Sequence, residues 1–196
     1  MNQHKTDDKA FTGLEAAIVL IAFVVVAAVF SYVVLGAGFF TTQKAQEAVY
    51  TAVAQATSNI QVVGQVYGIT DSTGAGVEQI QFTIGLAPGS PTLDISKLRI
   101  AFSTPNTNPI IYTAATSGTT TPAYSAANPT FIAQENGVGG VMASLLTQNQ
   151  TRISFNVSPV VPKNTYINLE IRPSVGAALP FQKTTPPSLT ATNVLY

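Results

Sequence analysis

The chain has 196 residues, 46% of them hydrophobic and only 9% charged, with a formal net charge of zero. This balance leaves no electrostatic footprint for nucleic acid and no basic surface for anionic lipid. No cysteine is present and the single histidine is His4, which excludes disulfides, thiolate chemistry and cysteine- or histidine-built metal centres, and with them most enzyme classes; neither a metal nor a cofactor is expected.

Residues 1–10 (MNQHKTDDKA) are polar, set Lys5 and Lys9 against Asp7 and Asp8, and show no apolar periodicity, as in a leader or a frayed tail. From Ala16 to Phe40 no charge occurs over twenty-five residues. As a helix this run measures about 37 Å, enough to cross the ~30 Å hydrocarbon core of a bilayer with some tilt. It exceeds the apolar core of a secretory signal peptide, about 7–15 residues, so a membrane span is expected, and on length alone a plain single-span anchor fits. Glu15 stands at the entrance to this run. One reason for a carboxylate there is a capping box, with Thr12 as N-cap and Glu15 three residues later, a position that also suits the helix dipole. A second reason arises if the chain is cut before Phe11, because a free α-ammonium would then stand four residues from Glu15.

Beyond Phe40 the helix is expected to continue to about residue 62. Ala45, Ala48, Val49, Ala52, Val53 and Ala56 recur at three- and four-residue spacing, with Gln43, Lys44, Gln46, Glu47 and Gln55 between them. Gly36 and Gly38 each cost about 1 kcal/mol relative to Ala in a helix interior, which marks a bend or a close approach of two helices. With Ala22, Ala27, Ala28, Ser31 and Ala37 they are the small residues that would let such helices pack closely; as lipid-facing filler they would carry no such meaning.

Past residue 62 the period becomes twofold. VEQIQFTIGL places Val77, Gln79, Gln81, Thr83 and Gly85 on one face and Glu78, Ile80, Phe82, Ile84 and Leu86 on the other. Further strands are expected in Lys97–Phe102, Pro109–Thr113, Arg152–Ser158, Thr165–Arg172 and Ser188–Tyr196, separated by turns such as LAPGSP and STPNTNP. Residues 116–150 read as long loops, with Val141–Leu146 a helical turn or a strand. The fold class expected is therefore α+β: a long hydrophobic N-terminal helix over 11–62, then an all-β immunoglobulin-like sandwich over 63–196.

The junction DDKAFTGLEAAIVLIAF resembles the class III signal peptide of type IV pilin-like subunits. In that family a prepilin-type signal peptidase cuts before the hydrophobic segment and leaves glutamate as the fifth mature residue. The resemblance implies a processing site at Lys9, Ala10 and Phe11, with Glu15 the fifth mature residue and its pairing with the Phe11 α-ammonium part of assembly. Ala10 replaces the usual Gly before the cut; cleavage after Gly13 would restore that Gly but put Glu15 second. The longer stretch from Phe11 through TTQKAQE is similar to the archaellins, the archaeal flagellins, as are VEQIQFTIGLAPGSPTLDISKLRI and the C-terminal LEIRPSVGAALPFQKTTP with its final LY. What this implies is a structural subunit of the extracellular archaeal flagellum. It would wait in the membrane before assembly, then polymerise through its helix into a homo-oligomeric filament or a co-polymer with related archaellins. An adhesive pilin-like subunit is the alternative.

Asn149-Gln-Thr is an acceptor sequence for N-glycosylation, and the resemblance strengthens it; Asn156-Val-Ser is compromised by Pro159, and Asn128 is excluded by Pro129. DSTGAG (71–76) offers a single carboxylate and reads as a turn, not as a calcium site.

Overall fold

The computed structural model describes residues 4–115, 122, 124–135 and 141–196, and of residues 4–12 the backbone alone. The chain divides into two compact units, Met1–Thr51 and Ala52–Tyr196. Helix α1 (His4–Thr57) accounts for the first unit and contributes its last turn to the second.

Both ends of α1 differ from expectation. Among the described residues it already includes His4, so residues 4–10 are helical and Thr12 lies inside the helix instead of at its N-cap. No Gly or Pro lies between His4 and Thr12, so nothing there stops a helix from extending outward. The C-terminal end falls at Thr57, short of residue 62. Thr57, Ser58 and Asn59 compete for the backbone with their side chains, and Ile60, Val62 and Val63 favour an extended chain.

The second unit contains strands β1 (Ile60–Thr70), β2 (Val77–Leu86), β3 (Leu93–Asp94), β4 (Arg99–Thr104), β5 (Thr107–Ala114), β6 (Thr130–Glu135), β7 (Ser144–Leu145), β8 (Gln150–Val161), β9 (Tyr166–Arg172), β10 (Leu179–Thr184) and β11 (Thr192–Leu195). Nine of them follow the order β10-β9-β4-β5-β6-β8-β2-β1-β11, and β3 pairs with β7 apart from these. Neighbours are antiparallel except β5 and β6, which run parallel where Thr113 faces Thr130. The far edges also meet: Thr184 and Tyr196 exchange backbone hydrogen bonds of 2.6 and 3.2 Å.

The aromatic core shows how the two halves of this array face each other. Phe82 on β2 and Phe155 on β8 belong to one half. Phe155 meets Phe102 of β4 at 6.1 Å and Tyr112 of β5 at 4.5 Å, while Phe82 meets Phe181 of β10 at 5.6 Å, all between ring centroids. The result is the expected β-sandwich. Tyr112 is wholly buried, and its hydroxyl donates to the Asn156 carbonyl at 2.9 Å.

Several local readings change. In β2 a register irregularity between Val77 and Gln79 switches the alternation, so Val77 is buried and Glu78 exposed, the reverse of their expected faces. Strand β6 lies inside the stretch read as loop, with Phe131, Ile132 and Ala133 wholly buried, and β7 settles Val141–Leu146 as partly strand. Strands β1 and β10 went unread. Gly64 interrupts β1, and β10 has no buried residue to mark a period. Lys97 belongs to a short 3-10 helix (Ile95–Lys97), and β11 is confined to Thr192–Leu195.

Candidate assembly helix and its root

Every residue of α1 from Gly13 to Val53 is exposed. Phe23, Phe30 and Phe39 are 74%, 69% and 69% exposed, and the apolar side chains go all the way round, without a polar face between Ala16 and Phe40. A helix of that kind is one to be buried. At about 1.5–3 kcal/mol per large side chain, no helix with this many could remain in water. By length and composition Gly13–Thr57 is long and apolar enough to cross a membrane.

Four threonines and one charge pair on this helix are satisfied within it. Thr41, Thr42, Thr51 and Thr57 each donate a hydroxyl hydrogen bond of 2.8 Å to the carbonyl four residues back, at Ala37, Gly38, Glu47 and Val53. Lys44 and Glu47, the only charges between Ala16 and Thr57, pair at 2.7 Å. In the second half of α1 the threonine hydroxyls and the two charges can therefore enter a dry environment already paired. Glu15 is different: it is exposed, and no other described residue bonds to its carboxylate. Lys9, Ala10, Phe11 and Thr12 have helical backbone, and their side chains lie outside the described residues.

The small residues do not form a single stripe. At 3.6 residues per turn Ala27, Ser31 and Gly38 fall within about 40° of one another, Ala22 and Gly36 lie opposite, and Ala28 lies to one side. A Cβ added at Gly13, Gly36 or Gly38 would meet nothing within 4 Å, so no contact inside the chain calls for glycine there.

The acceptor asparagines sit in the sandwich. Asn149 ends the turn before β8, is half-buried, and donates from Nδ2 to Glu135 Oε1 at 2.9 Å; the hydroxyl of its partner Thr151 is fully buried. Asn156 lies within β8 and donates to the Pro122 carbonyl at 3.2 Å. In the folded domain neither presents a free acceptor amide with an accessible hydroxyl. Asp71 is held in its own turn by the Thr73 hydroxyl and by the backbone N–H groups of Ala75 (2.8 Å) and Gly76 (3.3 Å), which lowers its pKa. Among the described residues no three His, Cys, Asp or Glu side chains cluster.

Sequence reasoning missed the root of the helix. Ser58 and Ser90 are buried at 6% and 5% exposure. Ser90 Oγ donates to the Thr57 carbonyl at 2.7 Å and accepts from the Asn59 N–H at 3.3 Å, and Ser58 Oγ donates to the Val175 carbonyl at 2.8 Å. Gly176, at φ +104°, packs so closely that an added Cβ would lie 2.5 Å from the Ser58 carbonyl oxygen. The Thr-Ser-Asn run ending an Ala-rich helix was the available signal; its partners at Ser90 and Gly176 lie too far along the chain to be inferred.

The archaeal-type flagellin family model matches residues 10–183. "Probable flagellin 1" of Archaeoglobus fulgidus is 35% identical over 198 residues, covering 96% of each chain. The "24 kDa flagellin" of Methanospirillum hungatei is 91% identical over 32 residues, 16% of this chain and 100% of that sequence. The solved archaeal flagellum of Methanospirillum hungatei strain JF1 superposes with a TM-score of 0.72 at 33% identity, covering 94% of this chain and 99% of that one. Archaeal flagellin FlaB1 of Methanocaldococcus jannaschii shares the fold, with a TM-score of 0.56 at 16% identity over 70% of this chain and 96% of that one. A helix apolar on all sides, a β-sandwich at its end and these matches along nearly the whole chain lead to one conclusion: the chain belongs to the archaeal-type flagellin family.

Proposed function

We propose that this chain is a structural subunit of the archaeal flagellar filament and polymerises through its N-terminal helix for swimming motility. The observation that carries this reading is the exposure of every residue from Gly13 to Val53 in a helix whose described threonine hydroxyls and Lys44–Glu47 pair are satisfied internally. Such a surface finds rest in lipid or among copies of itself, because both are apolar and packing then decides between them. The two faces of small residues supply close approach to more than one neighbour. Contacts that repeat head to tail without closing build a helical filament, of this chain alone or with related flagellins, outside the cell. The role is mechanical, not catalytic.

Processing belongs to the same reading. A prepilin-type peptidase cuts between Ala10 and Phe11, converting the Phe11 nitrogen from an amide inside a continuous helix to a free ammonium. Glu15 then has a cation for a partner, in its own chain or a neighbour's. Before the cut the polar residues 1–10 hold the N-terminus at the membrane surface; after it, nothing charged but that pair precedes the apolar run. N-terminal sequencing of the subunit from purified filaments is expected to begin at Phe11. A start at Leu14 would move the cut to Gly13, and a start at Met1 would reduce the helix to a plain membrane anchor. Swimming by cells that lack this chain and every related flagellin would overturn the motility role and favour an adhesive filament. Asn149 is the candidate glycan site; since Thr151 is buried in the folded domain, attachment there would precede folding of β8, and an unmodified Asn149 peptide by mass spectrometry would remove it.

A further inference from the structure

The root of α1 is built as a clamp, and nothing in the assembly reading requires one. A flexible linker would serve polymerisation equally well. Instead only Ser58 and Asn59 separate the helix from β1, and both are pinned. Two stretches distant in sequence converge on them, and a third braces the first. The turn at 87–90 brings the Ser90 hydroxyl to the Thr57 carbonyl and the Asn59 N–H, and also the Ala87 N–H to the Asn59 carbonyl at 3.0 Å. The segment after β9 brings the Val175 carbonyl to the Ser58 hydroxyl and the Gly176 backbone into contact with Ser58. The turn after β7 holds Ser90 in turn, Thr147 Oγ1 donating to its carbonyl at 3.4 Å. Thr57 O, one of the carbonyls a helix end leaves without an intrahelical partner, is thus capped by a side chain of the sandwich. Gly176 can follow this path because its φ is in the left-handed region and it has no Cβ to strike Ser58.

We infer that Ser58, Ser90 and Gly176 are positioning residues of the filament, coupling the last turn of the helix to the sandwich so that load on one is carried rigidly by the other. This rests on the filament reading above. It assigns the shape and stiffness of the polymer, not its formation, to the clamp. Removing one hydroxyl leaves a helix-end carbonyl and the Asn59 N–H short of a partner, and the junction opens more often while the aromatic core of the sandwich is untouched.

The test uses the full-length chain expressed in cells lacking their own flagellins, with Ser90→Ala, Gly176→Ala and a control, Thr185→Ala. Thr185 is a buried hydroxyl away from the helix root, donating to the Pro162 carbonyl at 2.7 Å. Expected are filaments from all variants, with Ser90→Ala and Gly176→Ala filaments showing altered waveform and lower persistence length by electron microscopy, and Thr185→Ala filaments keeping the wild-type form. In detergent, amide exchange at Asn59 and Ala87 should quicken about fivefold in Ser90→Ala, the fold-change of one net hydrogen bond, with exchange in β2 and β8 unchanged. Wild-type filament form in Ser90→Ala and Gly176→Ala, or the same change of form in Thr185→Ala, would overturn the inference and leave the clamp a stability feature. Absence of any filament from the wild-type chain would instead sink the filament reading.

Discussion

The helix and the sandwich of this chain put their apolar residues to opposite uses. In the sandwich Ile80, Phe82, Ile100, Tyr112, Phe131, Phe155 and Ile171 are at most 1% exposed, each covered by strands of the same chain. In α1 no large apolar side chain between Leu14 and Val53 falls below 51% exposure. The sandwich completes itself; the helix is a core whose other walls are other molecules. Stability and assembly are therefore separable in one chain, and substitutions in each half should leave the other's property alone.

The largest effect is expected from a charge on the helix. Ala27→Asp places a carboxylate midway along the apolar run, at about 2.5–3.5 kcal/mol per subunit in a bilayer-like setting, and filaments should vanish from electron micrographs. Denaturant unfolding of the sandwich should be unchanged; filaments at normal abundance would break the comparison from the helix side. From the other side, Phe155→Ala removes the ring that touches Phe82, Phe102 and Tyr112. A loss of about 3–5 kcal/mol is expected in chemical unfolding, with membrane insertion of the helix unaffected.

Finer substitutions sharpen the picture of the domain. Tyr112→Phe keeps the ring and deletes the hydroxyl bond to Asn156, for about 1 kcal/mol in the same measurement. Burial, and secondarily the nearby Tyr124, pushes the Tyr112 phenol well above its ordinary range. A raised folded pKa means full stability below the unfolded value near 10 and a loss as pH climbs beyond it. Thermal melts above that pH should fall more steeply for the wild type than for Tyr112→Phe. The smallest effect belongs to Asp71, whose pKa is lowered first by the Thr73 hydroxyl, which outweighs an opposing desolvation, and then by the backbone N–H groups of Gly76, Ala75 and Thr73. Its contribution is present above the unfolded carboxylate value and fades as pH falls through the folded one, so Asp71→Asn should flatten the acid limb of the melting curve slightly.

Legibility followed the same division. The helix was readable because its signal is compositional: an uncharged apolar run means the same thing whatever surrounds it. Strands with strict alternation, such as Arg152–Ser158 and Thr165–Arg172, were readable for their period. Strand β6 was not, because its flanks are rich in Ser, Thr, Ala and Gly and its three buried residues in succession carry no alternation. The bulge in β2 escaped for a related reason: a twofold pattern presumes an unbroken pleat, and only pairing with β8 and β1 reveals the slip that buries Val77 and exposes Glu78.

The sequence by itself determined that the chain has a helix it cannot bury and a β-rich remainder, since each of these rests on local chemistry along consecutive residues. Only the tertiary structure decided where the helix ends and what grips it. The partners of Ser58 and Asn59 are Val175, Ser90 and Ala87, and no property of a backbone segment announces which distant turn will supply its missing hydrogen bonds.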